Sequence, residues 1–102
     1  MKRYVAGFIV FALLVMFAGA AMAGNPMRGR PLYNEHCSGC HGVNGLPTVA
    51  EVPNFSMGEG LMKSDQDLEQ VIKNGKSIMP GYAATLTDQQ ISDVIAHIRT
   101  FF

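Results

Sequence analysis

The chain has 102 residues, a formal net charge of zero and 48% apolar residues. A chain of this length forms one domain at most, which excludes barrels and doubly wound folds. The apolar residues are unevenly distributed, since residues 1–23 hold 19 of them. Residues 24–102 carry six basic and eight acidic side chains, and this mildly acidic balance argues against a nucleic-acid-binding function.

Residues 1–23 carry the three parts of a secretory signal peptide: a basic start at Lys2 and Arg3, an apolar stretch, and small residues up to Ala23. We therefore predict cleavage after Ala23 and export to the periplasm, which leaves residues 24–102 as the mature domain. The alternative is a retained membrane anchor, because about 20 apolar residues span a bilayer as a helix. In both cases the rest of the chain lies outside the cytoplasm.

The first predicted element of the mature domain is a helix over residues 30–36, with Pro31 in its first turn. It leads directly into residues 37–41, which read Cys-Ser-Gly-Cys-His. A disulfide between Cys37 and Cys40 would close a very short loop and would stabilise an exported domain little. We therefore expect this pair to have another role.

Three kinds of site use two cysteines at this spacing. A thioredoxin-like redox pair needs a neighbouring strand and a parallel sheet, which the sequence does not predict. A zinc site needs a second pair of ligands, and only His36 and His97 remain for it. Covalent haem attachment also explains the histidine, because the thiols bind the haem vinyl groups and His41 binds the iron. We predict one covalent haem c.

A loop over residues 42–63 follows, rich in glycine and proline. A loop of this length in a small domain needs something to wrap around, and a haem supplies it. The second predicted helix begins after the cap residue Ser64. It ends at Asn74 and Gly75, because glycine readily adopts the left-handed conformation of a helix end.

Residues 78–82 read Ile-Met-Pro-Gly-Tyr and provide a second iron ligand. The Met79 thioether is a soft, neutral ligand suited to iron in an electron carrier. Pro80 has a fixed φ and no N–H, so it stiffens the loop that holds the sulfur. Met57 and Met62 in the long loop are alternative ligands, but neither is followed by proline.

The third predicted helix begins at Thr87, with Gln90 placed to complete a capping box. Asp93 and Arg99 are expected to face outward. One apolar stripe at helical period is expected to face the core. It consists of Ile91, Val94, Ile95, Ile98 and Phe102.

Together, these motifs resemble those of small monohaem class I c-type cytochromes of bacteria, over nearly all of residues 28–102. The resemblance implies an all-α class I cytochrome c fold, with three to four helices and long loops wrapped around one covalent haem. It also implies that the first and last helices cross at Gly29 and Tyr33, although His97 occupies a position that is usually aromatic. The matching segments are Gly29–Tyr33, Cys37–Gly42, Pro53–Phe55, Ile78–Tyr82 and Leu86–Asp88.

The resemblance further implies a proline carbonyl that accepts a hydrogen bond from the iron-binding imidazole. Pro53 is the candidate and Pro47 the alternative. Such a bond fixes the ring orientation and makes the ligand more electron-rich. The predicted cofactor-binding residues are therefore Cys37, Cys40, His41, Met79 and Pro53, with His41 and Met79 as the iron ligands.

The implied function is periplasmic single-electron transfer and not catalysis, because His41 and Met79 leave no iron position open for a small-molecule substrate. The expected partners are a redox-protein donor and acceptor that dock transiently on a monomer, oriented by lysines 63, 73 and 76. Two alternatives remain open. One is a haem enzyme or gas sensor with a labile sixth ligand, and the other is a haem subunit of a membrane respiratory complex.

Overall fold

The structure, a computed structural model, describes residues 23–102, so the predicted signal peptide lies outside it except for Ala23. Within this range the chain is helical and contains no named strand, which confirms the all-α prediction. None of the helices described is long and apolar enough to cross a membrane. The helices are α1 (Pro26–His36), α2 (Ser38–His41), α3 (Asp65–Asn74) and α4 (Asp88–Ile98), with 3₁₀ turns at Phe55–Met57 and Arg99–Phe101.

Helix α1 begins four residues earlier than predicted. The side chain of Asn25 accepts hydrogen bonds from the N–H groups of Met27 and Arg28, and Pro26 occupies the first helical turn. Asn25 and Pro26 are thus a stronger start signal than Arg30 and Pro31, because asparagine caps helices well and a proline in the first turn loses no hydrogen bond. Pro31 lies inside the helix.

The starts of α3 and α4 are as predicted. Ser64 Oγ accepts a hydrogen bond from the N–H of Asp67 at 3.1 Å. Thr87 and Gln90 form a reciprocal capping box, with bonds of 2.9 Å and 3.2 Å between side chain and backbone. Gly75 ends α3 with a φ of 79°. These local capping signals determine where both helices begin in the sequence, and packing determines where the helices lie in the fold.

Helices α1 and α4 cross in direct backbone contact at Gly29. A Cβ atom at Gly29 would lie only 1.9 Å from the carbonyl oxygen of Asp93, so no larger residue fits there without moving a helix. Tyr33 and Val94 beside this contact are fully buried, and Phe55 and Ile98 complete the cluster. The crossing predicted from Gly29 and Tyr33 is therefore present.

Asp93 does not face outward as predicted: it is 3% exposed. One carboxylate oxygen, Oδ1, accepts hydrogen bonds from the N–H of Asn25 at 2.8 Å and from Gln89 Nε2 at 3.0 Å. The start of α1 packs on this face of α4. The helical period of α4 does not indicate this contact and therefore predicts an exposed Asp93. Asp93 thus joins the beginning of the folded domain to its last helix.

The prediction for Phe102 is also wrong, since its side chain is 81% exposed. Helix α4 ends at Ile98, and the 3₁₀ turn that follows has a different period, which moves the next residues off the predicted stripe. Phe101 takes the inner position, with its ring 5.1 Å from that of Tyr33 and 5.0 Å from that of His97. His97 is buried among these rings and fills the usually aromatic position.

Arg99 does not point freely into solvent either. Its guanidinium donates to the carbonyls of Leu61 and Lys63, at 2.9 Å and 2.8 Å, and pairs with Asp65 at 2.6 Å. These partners lie between 34 and 38 residues away in the sequence. Arg99 therefore attaches the end of the long loop to the end of α4.

Candidate functional site

The two cysteines and His41 belong to a single helical turn. The N–H groups of Cys40 and His41 both donate to the carbonyl of Cys37, at 3.3 Å and 3.0 Å. Positions three and four residues apart lie on the same side of a helix. All three residues consequently line one cavity, and the cysteines are not bridged to each other.

This cavity has a volume of about 320 Å³ and lies between the cysteine turn, the loop 42–63, α3 and residues 75–86, here called the Met79 loop. Most of the other lining residues are apolar, for example Val52, Val71 and Ile78. An apolar wall edged by two thiols, an imidazole and a thioether fits a covalently attached porphyrin. All five residues predicted to bind the cofactor line it: Cys37, Cys40, His41, Pro53 and Met79.

The imidazole of His41 is held against an aromatic wall. Its ring stacks on that of Phe55, with centroids 4.7 Å apart and planes 11° from parallel. Burial lowers the pKa of His41, which favours the neutral form that can bind a metal. The sequence marked Phe55 as part of a matching motif, but this stacking depends on how the long loop folds back.

Nδ1 of His41 is buried and, among residues 23–102, has no hydrogen-bond partner. A hydrogen bond from Nδ1 to the carbonyl of Pro53 or Pro47 is therefore not formed in this structure. Both prolines belong to the loop that faces His41, and Pro53 lines the cavity itself. The role of Pro53 as a hydrogen-bond acceptor stays a prediction. The unpaired Nδ1 of His41 is the donor that such a bond would use.

The chemistry of the cysteines argues against a redox-active dithiol. Burial raises the pKa of the Cys37 thiol to about 11, whereas a reactive cysteine needs a lowered pKa because the thiolate is the nucleophile. The described residues also contain no group of three or more His, Cys, Asp or Glu side chains that could hold a metal ion. Neither the thioredoxin-like alternative nor the zinc alternative gains support.

Met79 is presented by a tight turn. The backbone groups of Lys76 and Met79 exchange two hydrogen bonds of 2.9 Å and 3.1 Å, and Ser77 between them has a φ of +54°. The turn packs closely on the end of α3, because a Cβ at Gly75 would lie 2.6 Å from the carbonyl oxygen of Met79. The position of Met79 is thus set by backbone contacts on the side of α3.

The two alternative methionines are placed differently. Met79 is half-buried and packs against a cluster that includes Ile72 and Leu86, whereas Met57 and Met62 are 69% and 98% exposed. Neither Met57 nor Met62 lines the cavity. Among the three candidates, Met79 is the one whose side chain lies beside the cavity that holds His41.

The other two histidines lie in different environments. His97 is buried at the α1–α4 crossing and does not line the cavity. His36 does line it, half-buried, with its ring 5.7 Å from that of Tyr82. His36 is only partly exposed because the Met79 loop, through Tyr82, covers that side of α1.

The three lysines predicted to form a patch are not equivalent. Lys63 and Lys76 line the cavity. Lys73 Nζ instead lies 2.9 Å from Glu69 Oε1 and 2.9 Å from Asp88 Oδ1, and its bonds to these carboxylates raise the pKa of Lys73. Paired in this way, Lys73 contributes less positive charge to a docking surface than the other two.

Comparison with known proteins identifies a family that this chain matches. Residues 24–98 match the family described as "Cytochrome C oxidase, cbb3-type, subunit III". The chain is 32% identical to a cytochrome c6 of Thermosynechococcus vestitus over 92 residues, which cover 88% of this chain and 82% of the relative. It is also 32% identical to a cytochrome c6-like protein of Nostoc over 81 residues, covering 76% and 72% of the two chains.

A solved structure has the same fold. The c-type cytochrome KustC0563 superposes with a TM-score of 0.64 at 27% sequence identity. The superposition covers 72% of this chain and 95% of that structure. The helical domain described above is therefore similar to a c-type cytochrome over almost the whole length of the latter.

Proposed function

The chain belongs to the cytochrome c family, and we propose that it is an exported single-electron carrier whose haem c is held by Cys37, Cys40, His41 and Met79. The observation that supports this assignment best is the convergence of these four residues on one apolar cavity. The cofactor is one covalent haem c, whose iron cycles between the ferrous and ferric states. The protein is an electron carrier and not an enzyme.

The residues around the cavity have distinct tasks. The thiols of Cys37 and Cys40 would hold the haem through thioether bonds, and the His41 imidazole and the Met79 thioether would bind its iron. Phe55 keeps the imidazole in one plane by stacking, and the carbonyl of Pro53 would accept a hydrogen bond from its Nδ1 when haem is bound. With two protein ligands, a substrate or gas could bind the iron only by displacing one of them, and a neutral thioether together with an apolar wall would favour the ferrous form.

Variants of the methionines test the ligand assignment. Met79→Ala opens the sixth position, so we expect it to abolish the far-red sulfur-to-iron absorption band and to lower the reduction potential. Met62→Ala is the matched control, because Met62 is 98% exposed and should leave both properties unchanged. Loss of the band in Met62→Ala and its retention in Met79→Ala would overturn the assignment.

Export to the periplasm, with cleavage after Ala23, agrees with how the folded domain begins. A Cβ at Gly24 would lie 2.1 Å from the carbonyl oxygen of Ser92, so residue 24 is packed on α4, and the side chain of Ala23 is exposed although its carbonyl accepts a 3.2 Å hydrogen bond from Gln89 Nε2. The intact mass of the protein purified from its host is the test. A mass that lacks residues 1–23 supports cleavage, and a mass that includes them supports a retained anchor.

Redox partners dock at the open side of the cavity. Lys63 and Lys76 line it, so an acidic partner surface would speed association, and such charges act mainly on the association rate. Electron-transfer rates should then fall as salt is raised, and Lys76→Gln should flatten that dependence more than Lys73→Gln, which alters an already paired lysine. A rate that is flat or rises with salt would exclude the lysines and favour docking on the exposed apolar rim at Ile78.

A second candidate function is a haem subunit of a membrane respiratory complex. The match of residues 24–98 to a family described as an oxidase subunit favours it. A retained segment 1–23 would supply the membrane attachment. Co-purification separates the two: a carrier elutes from the periplasmic extract by itself, whereas a subunit remains with a membrane complex in mild detergent.

A further inference from the structure

Two tyrosine hydroxyls bracket the segment that carries the cysteines and His41. Tyr33 Oη donates a buried hydrogen bond of 2.7 Å to the carbonyl of Gly42, the residue after His41. Tyr82 Oη donates a hydrogen bond of 2.9 Å to the carbonyl of His36, the residue before Cys37. The two bonds are alike in chemistry but lie on opposite ends of the haem-attachment segment.

The Tyr82 bond connects two parts of the site that are otherwise joined only by packing. The backbone of the Met79 loop is bonded to α3, with the N–H groups of Tyr82 and Ala83 donating to the carbonyls of Ile72 and Lys73 at 2.8 Å and 3.3 Å. Within residues 23–102, no other hydrogen bond joins the Met79 loop to residues 26–41. Tyr82 therefore spans the cavity from the methionine side to the cysteine side.

The carbonyl of His36 is available for this bond because of its position in the chain. It lies at the end of α1, where the last carbonyls of a helix have no partner within the helix. The Tyr82 ring packs against that of His36, and burial raises the pKa of Tyr82, so the hydroxyl keeps the proton it donates. Ring and hydroxyl together hold the loop against α1 three residues after Met79.

We propose that Tyr82 is a positioning residue for the distal ligand: its hydrogen bond to the His36 carbonyl holds the Met79 loop closed over the cavity and so retains the Met79 sulfur on the iron. This inference depends on the proposed role of Met79 as iron ligand. Without the hydroxyl, the loop stays attached to α3 but loses its bond to α1. The loop then opens more often, and an external ligand displaces the sulfur more easily.

Imidazole binding to the ferric holoprotein measures this opening. In Tyr82→Phe the ring is retained and one hydrogen bond is lost, which for a typical bond in a folded protein corresponds to roughly a fivefold change in an equilibrium. We therefore expect imidazole to bind roughly fivefold more tightly than to the unmutated protein, as followed by loss of the far-red band. Covalent haem and helical content should be unchanged.

Tyr33→Phe is the matched control, because it removes the same atom from a tyrosine that bonds the other end of the segment. It should lower the stability of the fold without changing the affinity for imidazole by more than about twofold. Equal tightening in both variants would mean that general destabilisation is responsible, and an unchanged affinity in Tyr82→Phe would mean that the hydroxyl has no such role. Either result overturns the proposal.

Met79→Ala distinguishes a failure of this inference from a failure of the proposed function. If Met79→Ala removes the far-red band while Tyr82→Phe leaves imidazole affinity unchanged, Met79 is the ligand and only the positioning role of Tyr82 is wrong. If Met79→Ala retains the band, the ligand assignment fails, and the inference about Tyr82 fails with it.

Discussion

The α1–α4 crossing and the haem side of the domain, meaning the loop 42–63 and the Met79 loop, are stabilised in different ways. At the crossing, Tyr33 and Val94 are fully buried among protein atoms. On the haem side, the side chain of Ile78 lines the cavity and is 78% exposed. The core at the crossing is filled by protein side chains, among them Phe55 of the loop 42–63, whereas the cavity on the haem side is lined by side chains that await a group the polypeptide does not contain.

This difference explains how so short a domain is stable. A core of this size supplies only about 3–5 kcal/mol, and the loop 42–63 and the Met79 loop are arranged around a cavity. The haem adds the missing apolar surface and covalent links to two residues. The α1–α4 crossing is stabilised by packing of protein side chains, and we expect the haem to stabilise the loop 42–63 and the Met79 loop.

The largest expected effect comes from removing the haem links. In the double variant Cys37→Ser and Cys40→Ser, the haem has no covalent attachment, and we expect a largely unfolded chain because the remaining core is too small. Far-ultraviolet circular dichroism and limited proteolysis of the purified variant measure this. Full helical content with a protease-resistant loop 42–63 would contradict the view that the haem side depends on its cofactor.

A large effect is also expected at the crossing itself. Gly29→Ala places a Cβ atom 1.9 Å from the backbone oxygen of Asp93, which cannot rotate away, so the helices must separate. We expect a loss of about 3 kcal/mol in the free energy of unfolding. Gly39→Ala is the control, because a Cβ there meets nothing within 4 Å. Equal stability of the two variants in denaturant titrations would show that the crossing tolerates expansion.

A smaller effect is expected where the start of the domain meets α4. Asp93→Ala leaves the N–H of Asn25 and the amide of Gln89 without their shared acceptor, which should cost about 1–3 kcal/mol. Asp93→Asn keeps an oxygen at this position and should cost clearly less. Thermal unfolding of both variants compares them. If Asn is as harmful as Ala, the negative charge matters and not the hydrogen bonds.

The smallest effect concerns pH and His97. Burial, with a lesser contribution from the Arg30 cation, lowers the pKa of His97 in the folded protein below its ordinary value of about 6.5. The unfolded chain therefore takes up a proton more readily, so stability is complete above about pH 6.5 and falls as the pH drops towards the folded pKa. The slope from this group is at most about 1.4 kcal/mol per pH unit.

His97→Phe removes this proton uptake while keeping an aromatic ring beside Tyr33 and Phe101. Stability curves measured between pH 4 and 8 should therefore be flatter for the variant than for the unmutated holoprotein over the acid part of the range. Parallel curves for the two proteins would mean that His97 binds a proton equally well when folded and unfolded.

Local signals predicted a large part of the fold. Ser64, Thr87 and Gly75 mark helix ends through bonds to residues within four positions, so the sequence alone is sufficient for them. The pattern around Pro31 predicts a start of α1 four residues later than the observed one, because Pro26 and not Pro31 occupies the first helical turn. Both are reasonable first-turn prolines, and the capping bonds of Asn25 distinguish them.

Contacts between distant segments could not be predicted in this way. Asp93 and Arg99 were expected on the surface, but the start of α1 and the end of the long loop lie against them. The same holds for the bond between Tyr82 and His36, which are 46 residues apart. The residues proposed to bind the cofactor can be identified from the sequence because each belongs to a short motif, and the structure brings those motifs to one cavity.

An optical spectrum of the purified protein is the decisive test of a covalent haem whose iron is bound by His41 and Met79. We expect a six-coordinate, low-spin ferric spectrum with a weak far-red sulfur-to-iron band, and slow binding of carbon monoxide to the ferrous form. Haem should also stay with the protein in acidified acetone. A high-spin ferric spectrum, rapid carbon monoxide binding or extractable haem would contradict it.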